Sequence, residues 1–200
     1  MKFELIKRKV QQIGLLLLLV GTFQGAFAQE YELWEKDFEL TMDNYSSLLG
    51  ERKYAEGKLL FRNGIDIRFV YNSSLLDTTF LKELNASVFT GFFEFKSMLE
   101  GSGDFSEEDL VRLANVQFDL AELFARRIRR FFSETPMIWS SQRQMAQWFD
   151  KFYKKWQKAN WKLMRKSKFG TDHEVLQDWN HRISEELTEL EGYCYSCSLK

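Results

Sequence analysis

The stretch Ser140 to Phe169, SSQRQMAQWFDKFYKKWQKANWKLMRKSKF, constrains the fold more than any other, because its residues separate into two unlike sides at helical spacing. Taken at 100° per residue from Met145, the residues Trp148, Phe149, Phe152, Trp156, Ala159 and Leu163 fall within one broad arc, the pattern of a helix facing a core. Lys151, Lys154, Lys155, Lys158, Lys162, Arg165 and Lys166 gather on the other side. Ser141 with Gln144 makes a capping-box pair at the start, and Gly170 stands where a helix would stop in the left-handed conformation. Trp161 breaks the division, since it leaves the apolar arc and lies beside Lys154, Lys158 and Arg165. The ordinary reading is a buried aromatic stripe under a solvated lysine face. The sharper reading makes Trp161, with Lys154, Lys158, Lys162 and Arg165, a candidate partner-binding patch.

The first 28 residues are set aside before any argument about the fold. Lys2, Lys7, Arg8 and Lys9 precede the short apolar run that begins LLLLLV, and Ala26-Phe27-Ala28 supplies a small-x-small site. That order predicts a secretory signal peptide cleaved after Ala28, and the run is too short to span a bilayer comfortably. An exported protein of the periplasm or cell envelope is the expectation. Its loss removes four basic residues and one acidic residue, moving the formal charge from -1 to -4.

The mild average conceals a division. Arg126 to Lys168 holds thirteen Lys or Arg against Glu134 and Asp150, whereas Glu30 to Glu51 and Asp172 to Glu191 each hold seven carboxylates against one basic residue. Compensation between neighbouring helices is therefore a sufficient account of the basic block. A single proline and nineteen phenylalanines among 200 residues argue for one folded unit with a thick core.

Helical spacing recurs along the chain. Tyr31, Trp34, Phe38, Met42 and Tyr45 predict a helix over 29–49. Between Glu51 and Asn72 two readings compete. Ile65, Ile67, Phe69 and Tyr71 alternate with Asp66, Arg68 and Val70 after an Asn63-Gly64 turn signal, while Tyr54, Leu60, Phe61, Ile65 and Phe69 also fit a helical face, with Gly50, Gly57 and Gly64 as a close-contact row. Helix is the preferred of the two. Leu76, Phe80, Leu84, Val88, Phe92, Phe95 and Leu99 predict a helix over 74–100. The clearest start lies at Ser106, with Asp109 near the box position and Phe105 able to staple onto Leu110, opening a helix to about Ser133. Arg126, Arg127, Arg129 and Arg130 suit the negative end of its dipole. Thr171 with Glu174 opens a final helix closed near Gly192. The predicted fold is all-α, an elongated antiparallel bundle of five or six helices over 29–192, followed by a tail at 193–200.

That tail carries Cys194 and Cys197, predicted to form a disulfide, locally or between chains. A redox centre would place such a pair at a helix start after a strand. His173 and His181 lie eight apart on one helix and read as surface residues. The sequence holds no nucleotide-binding glycine loop, no HExxH and no GxSxG, so neither catalysis nor a cofactor or nucleotide is expected. Asn44, Asn72 and Asn85 open N-glycosylation sequons, which matter only in a eukaryotic source.

The segment FTGFFEFKSMLEGSGDFSEEDL, followed by WSSQRQMAQWFDKFYKKWQKANWKL, resembles the secreted helical proteins encoded in conjugative-transposon transfer operons, the TraI-like group. The resemblance covers about residues 75 to 168. It rests on the signal peptide, the length, an aromatic helix ending in a short polar loop, the helix start at Phe105 to Leu110 and the later Ser-Gln-Arg helix. It implies a part comparable to the minor pilus subunit of type IV secretion systems: a non-enzymatic exported subunit that contacts other protein subunits of an envelope assembly, or further copies of itself. The alternative is a secreted helical binding protein, either a cytokine-like ligand or an adaptor at an anionic surface.

Overall fold

The computed structural model describes residues 31–45, 60–70, 88–100, 105–135, 142–195 and 197. The expected signal peptide, the Ser141 half of the capping box and the apolar positions between 71 and 87 lie outside them.

The fold mixes strands with helices, which corrects the all-α bundle of five or six helices. Among the described residues five short strands come first: β1 (Glu32–Leu33), β2 (Leu60–Arg62), β3 (Ile65–Phe69), β4 (Val88–Phe92) and β5 (Met98–Glu100). Three long helices follow among them: α1 (Glu107–Glu134), α2 (Gln142–Lys166) and α3 (His173–Glu189). β4 is the middle strand of an antiparallel sheet in the order β1-β4-β3, and β2 pairs with β5. The register Ile65↔Phe92, Ile67↔Thr90 and Phe69↔Val88 fixes the longer ladder.

Three predicted helices are overturned. Within 29–49, the described residues form β1 and a short 3-10 turn at Met42–Asn44. Within 74–100, residues 88–100 form β4, a 3-10 turn at Glu94–Lys96, and β5. Every residue of β4 is buried, so apolar side chains occupy both of its faces and the alternation that betrays a strand is missing. Within the preferred helix over 51–72, the described residues 60–70 form β2 and β3, where Ile65 and Ile67 are buried and Asp66 and Arg68 are half-buried, a spacing of two.

Nor do β2 and β3 make the alternative hairpin. Asn63-Gly64 carries the chain from one ladder to the next, and on the facing run the turn at Glu94–Lys96 fills the same gap as an enlarged bulge. Gly64 donates its N–H to Ser97 Oγ at 2.9 Å and accepts at its carbonyl from the Phe93 N–H at 3.1 Å. A Cβ on Gly64 would collide with the Phe93 carbonyl, so the glycine serves this crossing rather than a helix contact. Asn63 bonds Gln117 of α1 at 3.1 Å, and Gln117 bonds Asn160 of α2 at 2.7 Å, a polar chain through the core.

α1 is the centre. It is buried on more than one side because β3 and β4 cover one flank while α2 and α3 cover others. Ser106 Oγ accepts from the Asp109 N–H at 3.1 Å, the expected cap. Between α2 and α3 the chain turns through three consecutive positive φ values, at Lys168, Phe169 and Gly170. At Gly170 a Cβ would strike the Asp109 carbonyl oxygen, which presses this turn against the start of α1. The cap of α3 is Asp172, whose Oδ1 accepts from the Val175 N–H at 3.3 Å, one residue beyond the expected Thr171. α3 ends at Glu189, and Gly192 lies inside the final 3-10 turn, Glu191–Tyr193.

Candidate partner-binding face

α2 divides as its residues dictate. Met145, Trp156 and Leu163 are buried, and Trp148, Phe149, Phe152 and Tyr153 are partly buried against the same core. Phe149 stacks on Phe69 of β3 at 5.5 Å between ring centres, and Trp148 and Phe152 both meet Phe131 of α1. Tyr153 donates to Asp66 Oδ1 at 2.8 Å. The helix is thereby held to both the sheet and α1, and its outer side is fixed in orientation.

That outer side carries Trp161 at 60% exposure, the largest among the exposed large hydrophobic residues described. Lys154, Lys158, Lys162 and Arg165 are exposed along the same stripe, at the i, i+4, i+8 and i+11 spacing of one helix face. None of the four forms an ion pair with a described residue. Two neighbours differ. The Lys151 ammonium lies 3.8 Å from the Trp148 ring centre and that of Lys155 lies 5.4 Å from the Phe152 ring centre, so both fold back onto aromatic rings of their own helix.

Ion pairs to the acidic flank reach only the two ends of the basic block: Arg127 pairs with Glu186 of α3, and Lys168 lies 3.4 Å from Asp172. Arg130 reaches Glu134 of its own helix at 3.8 Å. Arg126 and Arg129, expected to face the negative end of the helix dipole, are both buried. Each donates to the one carboxylate of Glu122, at 3.0 and 2.6 Å. The clue lay in the i, i+4 and i+7 spacing of Glu122, Arg126 and Arg129, which puts all three on one stripe. Charge on a stripe can sit inside when its partner sits there too.

Cys194 and Cys197 are joined by a disulfide with a Cα separation of 5.1 Å, after the 3-10 turn and away from any helix start. Tyr195 between them lies 6.0 Å from the Phe89 ring of β4. Asn44 uses its side-chain oxygen to accept from the Thr41 N–H at 2.7 Å, while Asn72 and Asn85 lie outside the described residues. His173 meets Asp109 at 2.7 Å and His181 meets Glu185 at 3.3 Å, both at the surface. Among the described residues no three His, Cys, Asp or Glu side chains are grouped to hold a metal ion, and no helix is long and apolar enough to cross a membrane. Comparison with protein families, with curated proteins and with solved structures finds no match.

Proposed function

We propose that the protein is a non-enzymatic, exported subunit of a conjugative transfer apparatus and that it docks an acidic protein surface of that assembly through the outer face of α2. The observation that carries the reading is Trp161, exposed on a rigidly held helix among four cations with no ion-pair partner among the described residues. A large aromatic surrounded by unpaired positive charge has the composition of an interface hot spot, where the ring supplies buried area and the cations steer and align the partner. The resemblance to the TraI-like group supplies the setting.

The test is attachment. Trp161→Ala and the pair Lys158→Glu with Arg165→Glu are introduced into the tagged chain in donor cells, and recovery of partner subunits is compared with wild type after crosslinking. The expected result is loss of capture at unchanged helical content. Unchanged capture in all variants removes the face as a docking site. Retention instead on vesicles of phosphatidylglycerol, lost in the same variants, would move the reading to an adaptor at an anionic membrane surface.

A further inference from the structure

On the flank of α1 that carries Asp119 and Arg126 the molecule has a concave feature, separate from the outer face of α2. A cleft of ≈ 290 Å³ is lined by Trp34 and Lys36 of the N-terminal segment, by Asp119 and Arg126 of α1, and by Asn180 and Ser184 of α3. A second hollow of ≈ 450 Å³ adjoins it and is bounded by Glu35, Asp37 and the Cys194–Cys197 loop. Trp34, Lys36, Arg126 and Glu191 line both, which makes them one trough.

Its floor is preorganised. The Arg126 guanidinium is buried, gives its Nε–H to Glu122 at 3.0 Å and an Nη1–H to the Leu187 carbonyl at 2.6 Å, and lies 5.1 Å from the Trp34 ring centre. The Trp34 indole N–H is donated to Asp119 Oδ1 at 2.8 Å. These bonds fix the indole and leave the second oxygen of Asp119 as an acceptor. On α3, Asn180, Ser184 and Thr188 recur every four residues, so an amide and two hydroxyls share one stripe of the wall.

The mixture of charges disfavours a ligand of one sign. An anion drawn to Lys36 and Arg126 meets the carboxylates of Asp119 and Glu191, and a cation drawn to those carboxylates meets Lys36 and Arg126. An apolar ligand would desolvate all of them without replacement bonds. A neutral molecule with several hydroxyls suits both signs, because each hydroxyl donates and accepts, and its C–H surface can pack on an indole. The smaller cleft lies near the lower end of the roughly 300–1,000 Å³ usual for small-molecule sites, a size for one or two sugar rings. An extended peptide would need a sheet edge to pair with, and β1 offers only Glu32–Leu33. We propose that this trough binds a neutral saccharide, with Trp34 as the stacking surface, Asn180 and Ser184 as hydroxyl partners, and Asp119 as the acceptor at the floor.

The test is saturation-transfer NMR with calorimetry on the full chain, using cellobiose, chitobiose and maltose as neutral probes. Glucuronic acid, glucosamine and an acetylated, amidated tetra-alanine serve as competing chemistries. At least one neutral disaccharide should bind with a Kd of about 1 mM or tighter. The double variant Asn180→Ala with Ser184→Ala, both exposed positions that the fold tolerates, should weaken it by about tenfold, as the loss of two hydrogen bonds predicts. Trp161→Ala should leave it unchanged, which separates this site from the α2 face. The proposal is overturned if no neutral disaccharide binds at about 10 mM, if the double variant binds as wild type does, or if a charged sugar or the peptide binds more tightly.

Discussion

The phenol of Tyr153 donates a 2.8 Å hydrogen bond to the carboxylate of Asp66, and that bond ties the middle of the basic helix to β3 at the margin of the sheet. Burial, reinforced by the Asp66 charge, raises the Tyr153 pKa well above its usual value, so the proton stays on the phenol throughout the range in which the protein folds. Asp66 also holds Arg68 at 3.0 Å. Tyr153→Phe keeps the ring packing against Phe149 and Trp156 and deletes only the bond. The expected loss is about 1 to 2 kcal/mol, read from the urea midpoint at unchanged slope. A change near zero would show that water replaces the phenol at Asp66 without cost.

Two aspartates on α1 respond to pH in opposite directions. At Asp109 burial pushes the pKa up, but hydrogen bonds from Ser106, His173 and Arg112 together outweigh it and hold the carboxyl below its usual range. A depressed folded pKa gives stability that is present above the unfolded value and is lost as the pH falls through the folded one. At Asp119 burial raises the pKa, aided by Glu122 and opposed by the Trp34 bond and Arg126. A raised carboxyl pKa means the folded state holds the proton more tightly, so stability falls as the pH rises from the unfolded pKa to the folded one. Asp109→Asn should flatten the loss of stability below about pH 4, while Asp119→Asn should flatten the opposite slope above it. Urea midpoints across that span separate the two variants, and parallel profiles with wild type would remove both assignments.

The long helices were legible because each announces itself locally. Ser106 before a run of acids starts α1, and the two-sided pattern of 140–169 defines α2 to within a few residues. The strands were obscured by the same apolar richness that built the core. Val88, Phe92, Phe95 and Leu99 recur at three or four residues and so mimic a helix, yet β4 is central and apolar on both faces, where spacing carries no signal. Ile65, Ile67 and Phe69 did alternate, but their partner strand lies 23 residues away, and no local pattern shows a pairing that distant. The exposure of Trp161 was readable from the helical wheel. The trough was not, because Trp34, Asp119, Arg126 and Ser184 come from three separate segments that only the tertiary fold assembles.

Two buried guanidiniums donate to the one carboxylate of Glu122, and this imbalance sets a sharp expectation about the core of α1. The Glu122 side chain is 2% exposed, that of Arg129 is 0%, and Arg129 Nη1 has no hydrogen-bond partner among the described residues. Burial lowers the Arg129 pKa even with Glu122 beside it, as it must for a cation taken out of water. Removing one member of such a group is costly when it strands a charge and cheap when it removes the surplus. Glu122→Gln leaves Arg126 and Arg129 facing each other without an anion between them, and should cost about 3 to 5 kcal/mol. At this chain length that lowers the Tm by roughly 10 °C. Arg129→Met leaves Glu122 and Arg126 as a one-to-one pair, fills similar space with an apolar stem and removes the unpartnered nitrogen. It should therefore cost far less than Glu122→Gln and leave the Arg126 bond to the Leu187 carbonyl in place. Thermal and urea melts of the two variants decide the matter. Equal destabilisation would show that Arg129 is held by more than Glu122, and a mild Glu122→Gln would show that the two guanidiniums do not depend on that carboxylate for their burial.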